Sequence, residues 1–334
     1  MKYTEIDFND KVILITGGAG FIGSNLAFYF QNNYPSSKIV IFDAFRSDAK
    51  FPSGNFTSLG HFKNLNGFKG EVISGDINSS DDLNRLNDYK FDYIFHQAAI
   101  SDTTVMNQKL VVQTNTNAFK DILDISVRDS ANIVYASSAG TYGNSVAPNS
   151  VGSGEVPENV YGFSKLMMDN IAKSYMQKHT NISIVGLRYF NVYGAREVHK
   201  AKTASMMLQL STQLLSGNVP RLFKYGEQKR DFVYIEDVIQ ANVRGASAKN
   251  SGVFNVGSGK ARTFNDVVNI LQKELGTSQE IEYFDNPYSF YQNHTEADIT
   301  LSKEVLGYSP NFELEDGIAA YKDELIEIYN NKQN

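Results

Sequence analysis

The chain has 334 residues, with 31 Lys and Arg against 37 Asp and Glu for a formal charge of −6, and it contains no cysteine. That length can bury a large core without cross-links, and an acidic balance without basic blocks argues against a nucleic-acid partner. The lack of thiols excludes disulfides, Cys-ligated zinc and a cysteine nucleophile.

The start, MKYTEIDFNDKVILIT, sets acidic residues before an apolar run far too short to span a bilayer, so a cytoplasmic chain with no membrane partner is expected. Apolar, β-branched runs then recur at Val12 to Thr16, Ile39 to Asp43, Glu71 to Asp76, Asp92 to His96, Ile133 to Ser137 and Ile184 to Tyr189. Between them lie stretches with apolar residues at helical spacing, among them Asn117 to Arg128 and Ser164 to Lys178. A seventh strand, Gly252 to Gly257, follows a helical stretch around Thr203 to Ser216 and the segment RDFVYIEDV. Near-continuous Val/Ile strands alternating with helices predict an α/β fold, a Rossmann-type doubly wound parallel sheet of about seven strands. A smaller C-terminal substrate lobe is interleaved with it. The expected division is 1–190 plus 232–262 for the dinucleotide-binding part and 191–231 plus 263–334 for the substrate lobe. Residues 46–70 read as a long insertion after the second strand, and such loops are often functional.

The turn Thr16-Gly17-Gly18-Ala19-Gly20-Phe21-Ile22-Gly23 follows the first strand and opens a helix at Ser24 to Phe30, with Asp43 twenty residues beyond Gly23. This is the context in which glycines admit a pyrophosphate to the backbone and a helix N-terminus receives it. Asp43 suits the ribose hydroxyls of NAD, whereas Arg46, with Lys50 and Lys63, suits the extra phosphate of NADP and tilts the expectation that way.

Tyr and Lys stand four apart at Tyr34/Lys38, Tyr161/Lys165 and Tyr225/Lys229. Pro35 and Gly226 place the first and third in non-helical surroundings, so only Tyr161 leads into a long helical pattern. The preceding strand delivers Ser137 and Ser138 to the sheet edge where ligands bind. The trio suits hydride transfer at a carbinol. Tyr161 takes the hydroxyl proton, Lys165 favours the phenolate, and Ser138 hydrogen-bonds the oxygen that becomes a ketone.

The glycine turn, YASSA, YGFSK and RYFNVYG, in this order, resemble the extended short-chain dehydrogenase/reductases that act on nucleotide sugars, the NAD-dependent epimerase/dehydratase family, over nearly the whole chain. HQAAISDTT at 96–104, REVHKAKTAS at 196–205, KRDFVYIEDV at 229–238 and YQNHTEADI at 291–299 look most like the branch that inverts C6 of an ADP-heptose through a 6-keto intermediate. The resemblance implies a bound NADP, with NAD as the alternative, held by Gly17, Gly20, Phe21, Ile22, Gly23, Asp43, Ala44, Arg46, Lys50, Lys63, Gln97, Ala98, Ala99, Ile100, Ser101, Asn115, Tyr161, Lys165, Val192 and Lys200. It implies a substrate met by Ser138, Asn191, Lys202, Gln209, Phe223, Lys224, Tyr225, Gly226, Arg230 and Tyr291, with Tyr161 and Lys200 as the two acid/base residues. Ala44, Gln97 and Gln209 stand where the family more often carries Asn, an acidic residue and His. A homo-oligomer, a pentamer by the same resemblance, is also expected, as is a place in making the heptose of lipopolysaccharide core.

A dehydratase would place an acidic pair after the active-site Ser or Thr, but Ser138 is followed by Ala139-Gly140-Thr141. A nucleotide-hexose 4-epimerase shares the glycine turn and the Tyr/Lys pair and stays open on the residues alone. A cofactor sensor without turnover has no need of Tyr161, Lys165 and Ser138 together.

Overall fold

The computed structural model describes residues 2–286 and 292–333. Seven strands form one parallel sheet: β1 (Val12–Thr16), β2 (Lys38–Asp43), β3 (Glu71–Ser74), β4 (Tyr93–His96), β5 (Asn132–Ser138), β6 (Ile184–Tyr189) and, later in the chain, Gly252–Val256. Their order is β3-β2-β1-β4-β5-β6 with Gly252–Val256 outermost beside β6. The chain winds outward from β1 to β3 and then crosses to begin again at β4, so the order of strand addition reverses between β1 and β4. In such folds the crevice at that reversal is where ligands bind.

Both faces of the sheet are covered, which is why the strands read as unbroken apolar runs. Ile13, Ile15, Ile39, Ile41 and Val134 point into one core with Leu26 and Phe30 of the helix Phe21–Asn33 and Val238 of Ile235–Ala246. Their neighbours Leu14, Val40, Ile133 and Tyr135 point into the other, against Ile122 of Ala118–Asp129 and Met168 of Val160–Lys178. Fully burying such a side chain contributes about 1.5–3 kcal/mol, so a one-residue register slip would be ruinous.

Two small sheets lie outside this one. β7 (Asn191–Tyr193) pairs with β9 (Lys229–Tyr234), which pairs with β11 (Ala261–Thr263); β8 (Arg221–Phe223) pairs with β12 (Glu282–Phe284), β10 being the Gly252–Val256 strand. β9 therefore runs across the expected lobe boundary at 231/232. Its partner β11 spans the other expected boundary, at 262/263.

Local chemistry moves several predicted ends. The helix predicted from Ser164 begins at Val160, because the Asn159 side chain accepts the Gly162 N–H at 2.8 Å and caps it. The stretch predicted from Thr203 becomes helical only at Met206, after a Ser205 cap. The third strand stops at Ser74 rather than Asp76. The insertion at 46–70 is packed: Phe51 joins Ile100, Val105 and Val111 in a separate apolar cluster, and Asn55 donates to the Asp102 carboxylate at 2.6 Å. Among the described residues no helix is long and apolar enough to cross a membrane.

Candidate active site

β1 and β4 deliver their C-terminal ends side by side, and Thr16 ties them: its hydroxyl meets His96 Nδ1 at 2.8 Å and its carbonyl accepts the Gln97 N–H at 3.0 Å. Gly17 adopts φ +68°, and a Cβ there would stand 2.7 Å from the Ala98 nitrogen. A Cβ on Gly23 would overlap the Gly17 carbonyl. Only glycine lets the turn and the helix come this close. The helix then starts at Phe21 from Gly20 with no side-chain cap, so its first N–H groups stay free for an anion.

A cavity of about 540 Å³ opens over this turn, within the range of small-molecule sites. Gly17, Gly20, Phe21, Ile22 and Gly23 form its floor, Asp43 and Ala44 one end, and Gln97, Ala98, Ala99, Ile100 and Ser101 a side; Ser138, Tyr161, Lys165, Val192 and Lys200 line the same space. A glycine floor that side chains would fill, unclaimed N–H groups and a carboxylate at the end of β2 together fit a dinucleotide. Asp43 is buried; burial raises its pKa, while the N–H groups of Phe45 (2.7 Å) and Ala19 (2.9 Å) oppose the rise.

The cations that favoured NADP are placed differently. Arg46 does not line the cavity: its guanidinium donates to the His199 carbonyl and lies 4.3 Å from the Phe56 ring centre. Lys50 Nζ sits over the same ring, and Lys63 is exposed. Asn115 is buried behind the wall, clamping Ile100 by its N–H (2.8 Å) and carbonyl (3.0 Å) and donating to Ser164.

The Tyr/Ser/Lys trio comes together. Asn159 caps the helix that carries Tyr161 and Lys165, and Ser138 ends β5 beside them, its hydroxyl accepting the Gly140 N–H at 3.0 Å. Burial raises the Tyr161 pKa, and a hydrogen bond from Ser138 pulls it back. That differs from the expectation that Lys165 does the lowering. Lys165 Nζ lies 5.9 Å from the Tyr161 ring centre and donates instead to the Ala136 carbonyl at 2.8 Å. Burial brings Lys165 down to about 8, with Asp169 opposing. Lys200 approaches from a different segment, its Nζ 5.3 Å from the Phe21 ring centre; burial lowers its pKa and Glu197 raises it. The other two Tyr/Lys pairs are not helical, with Lys38 and Lys229 each opening a strand.

Most of the substrate-side residues stand outside the cavity. Asn191 donates to the Asp231 carbonyl at 3.2 Å, Gln209 to the Ala204 carbonyl at 2.7 Å, and Arg230, buried, to the Lys229 carbonyl at 2.9 Å. Phe223 packs edge-on to Phe284, and Lys224 pairs with Asp285 at 3.0 Å. Tyr225 is exposed, Gly226 abuts Asn265, and Lys202 is exposed near Gly54. Tyr291 lies outside the described residues.

Spacing gave no hint of other lining residues: Ser47, Phe51 and Thr57 to Gly60 of the insertion, Gly75 to Asn78 after β3, Leu110, Thr114, Tyr189 and Phe190. Those after β3 and β6 could have been found from the rule that ligands meet the C-terminal ends of strands.

The model of the NAD dependent epimerase/dehydratase family matches residues 13–257. The chain is similar to the crystal structure of Helicobacter pylori ADP-L-glycero-D-manno-heptose-6-epimerase, with 52% identity over 98% of this chain and 99% of that one and a TM-score of 0.90. It also resembles the UDP-N-acetylglucosamine 4-epimerase of Methanobrevibacter ruminantium M1 (26% identity, 96% and 99% covered, TM-score 0.84). A third likeness is to the UDP-glucuronic acid 4-epimerase of Bacillus cereus in complex with UDP-glucuronic acid and NAD (28% identity, 95% and 100% covered, TM-score 0.80). With a glycine-floored dinucleotide cavity holding a Tyr/Ser/Lys trio, and a family match over most of its length, the chain belongs to the NAD-dependent epimerase/dehydratase family.

Proposed function

We propose that this protein inverts C6 of ADP-D-glycero-β-D-manno-heptose to give the L-glycero epimer through a 6-keto intermediate, a step in supplying the heptose of lipopolysaccharide core. One observation carries the reading: Tyr161, Ser138, Lys165 and Lys200 converge on the cavity that begins at the glycine turn. The 52% identity to an enzyme named for this reaction supports the choice of substrate over that of a 4-epimerase.

A nicotinamide cofactor held over the glycine turn would supply reversible hydride exchange at C6, with nothing consumed overall. The residues of this chain manage the proton. Tyr161, its pKa raised by burial, carries its proton at neutral pH and supplies it to the C6 oxygen in the reducing direction. Lys200, its pKa lowered by burial against the opposing Glu197, serves the carbonyl in its other orientation. Ser138 hydrogen-bonds the same oxygen, and Lys165 supplies positive charge beside the phenol. Phe51 and Thr57 to Gly60 of the insertion wall the same cavity, which would limit access of water to the ketone.

The family resemblance assigns NADP, although Arg46 is engaged elsewhere; chromatography of the cofactor released on denaturation distinguishes it from NAD. The reading also takes 1–190 plus 232–262 and 191–231 plus 263–334 as the two lobes, and a cytoplasmic homo-oligomer, which sedimentation tests. The decisive experiment compares products from ADP-heptose and UDP-galactose: turnover of the second alone would overturn the assignment. Lys200→Ala is expected to lower kcat on the order of 10²-fold, as for a lost acid/base group, with KM changed by less than about three-fold. A rise in KM alone would make Lys200 a binding residue.

A further inference from the structure

Lys200 sits on an unusual piece of backbone. Its successor Ala201 has φ 51° and ψ −123°, and Arg196 has φ 72°. Non-glycine residues reach such conformations only at an energetic cost and keep them only where the surroundings over-determine them. Part of the support is internal: the buried Glu197 carboxylate accepts the N–H and hydroxyl of Ser205, each at 2.6 Å, and the Thr203 hydroxyl donates to the Lys200 carbonyl at 2.8 Å.

The rest comes from the 46–70 insertion, and it converges on the residue before Lys200. The His61 and His199 rings stack with centres 3.8 Å apart and planes 7° from parallel. The Arg46 guanidinium takes the His199 carbonyl. The insertion is anchored at its other contacts: the His61 N–H donates to the Ala19 carbonyl at 3.0 Å, the Arg46 N–H to the Gly60 carbonyl at 2.8 Å, and Phe51 and Asn55 hold the opposite side through Ile100 and Asp102. His61 therefore joins the glycine turn, through its backbone N–H, to the segment bearing Lys200, through its ring.

We propose that His61, stacked on His199, and Arg46, bonded to the His199 carbonyl, are positioning residues that hold Lys200 in place for proton transfer. This rests on the acid/base role given to Lys200 above. Stacking requires that the two rings not both be charged. Burial lowers both pKa values, His199 to about 4, and the nearby positive charges of Arg46 and Lys63 lower them further, so the pair is neutral at pH 7. Neither histidine lines the cavity, which separates holding Lys200 from holding a ligand.

The test uses the purified full chain as wild type, His61→Ala and His61→Phe. It reads kcat and KM for ADP-heptose epimerisation, bound nicotinamide per chain, and the rate at which an amine-reactive acylating reagent labels Lys200, followed by mass spectrometry with Lys165 as internal reference. His61→Ala is expected to lower kcat on the order of 10-fold, the effect of a small misplacement of a reacting group, with KM and nicotinamide content unchanged and Lys200 labelled several-fold faster. His61→Phe, whose ring can still stack, should restore kcat and labelling toward wild type. Unchanged labelling in His61→Ala overturns the proposal, as does a kcat loss that follows nicotinamide loss. Faster labelling with unchanged kcat overturns it by a different route, showing that the strap holds Lys200 but that Lys200 carries no proton in turnover.

Discussion

Tyr161→Phe is expected to lose on the order of 10²- to 10⁴-fold in kcat, the range for removal of a general acid/base, with little change in KM or in bound nicotinamide. The substitution keeps the ring, and with it the packing at the start of the helix Val160–Lys178, and deletes only the oxygen that Ser138 bonds. The phenol's pKa is raised by burial, so at neutral pH the group arrives protonated, and the costly step is forming the phenolate that takes the hydroxyl proton when the substrate is oxidised. Ser138 lowers that cost, and the Lys165 ammonium, charged below about pH 8, favours the phenolate in the same sense from one turn along the helix. Single-turnover epimerisation of ADP-heptose measures the effect. A loss below ten-fold would show that Lys200 alone carries both proton transfers.

The second large effect is on stability. Asp169, wholly buried, accepts from Arg188 Nε at 2.9 Å and pairs with Nη2 at 2.8 Å, and it also accepts the Tyr135 hydroxyl at 2.9 Å. Arg188, equally buried on β6, spends its remaining nitrogen on Glu155 at 2.6 Å. Asp169→Leu leaves the guanidinium half-paired in the core, and breaking a buried pair in this way costs about 3–5 kcal/mol. Urea unfolding should show a lower midpoint with an unchanged slope. Asp169→Leu with Arg188→Met replaces both charges by apolar groups and should recover much of the loss, since such replacements are often neutral. An equal loss in both variants would mean that the pair's charges are not what matters.

The same double variant has a kinetic signature. Burial lowers the Lys165 pKa to about 8, and Asp169 is the group opposing that fall. Without Asp169 the pKa falls further. An ammonium needed for activity is lost as pH rises through its pKa, so the alkaline limb of the kcat profile should move to lower pH. An unmoved limb would leave Asp169 with a structural role only.

What could be read from the residues is what short-range chemistry dictates. Val12 to Thr16 has to be a buried strand, because five apolar or β-branched residues cannot be solvated on either face. Gly23 has to be a glycine because its Cβ would meet the Gly17 carbonyl, a constraint contained within seven residues, and Gly17 turns with a positive φ that favours glycine. Tyr161 and Lys165 share a helix, so their spacing alone brings them to one face.

The partners of charged side chains were not legible in this way. Arg46, three residues past Asp43, reads as a phosphate ligand, yet it meets a carbonyl 153 residues further along the chain. Arg188, inside a motif shared across the superfamily, reveals nothing in sequence of Asp169 or Glu155. Lys202 and Arg230, which the family resemblance gives to the substrate, stand outside the cavity. The sequence by itself determined where the strands of the main sheet lie along the chain, the dinucleotide turn and the helical Tyr/Lys pair, because sterics and periodicity act between near neighbours. Only the tertiary structure decided which cations face the ligand, that the 46–70 insertion walls the cavity, and that His61 reaches the Lys200 segment, because burial and charge pairing are set by whichever distant segment the fold brings alongside.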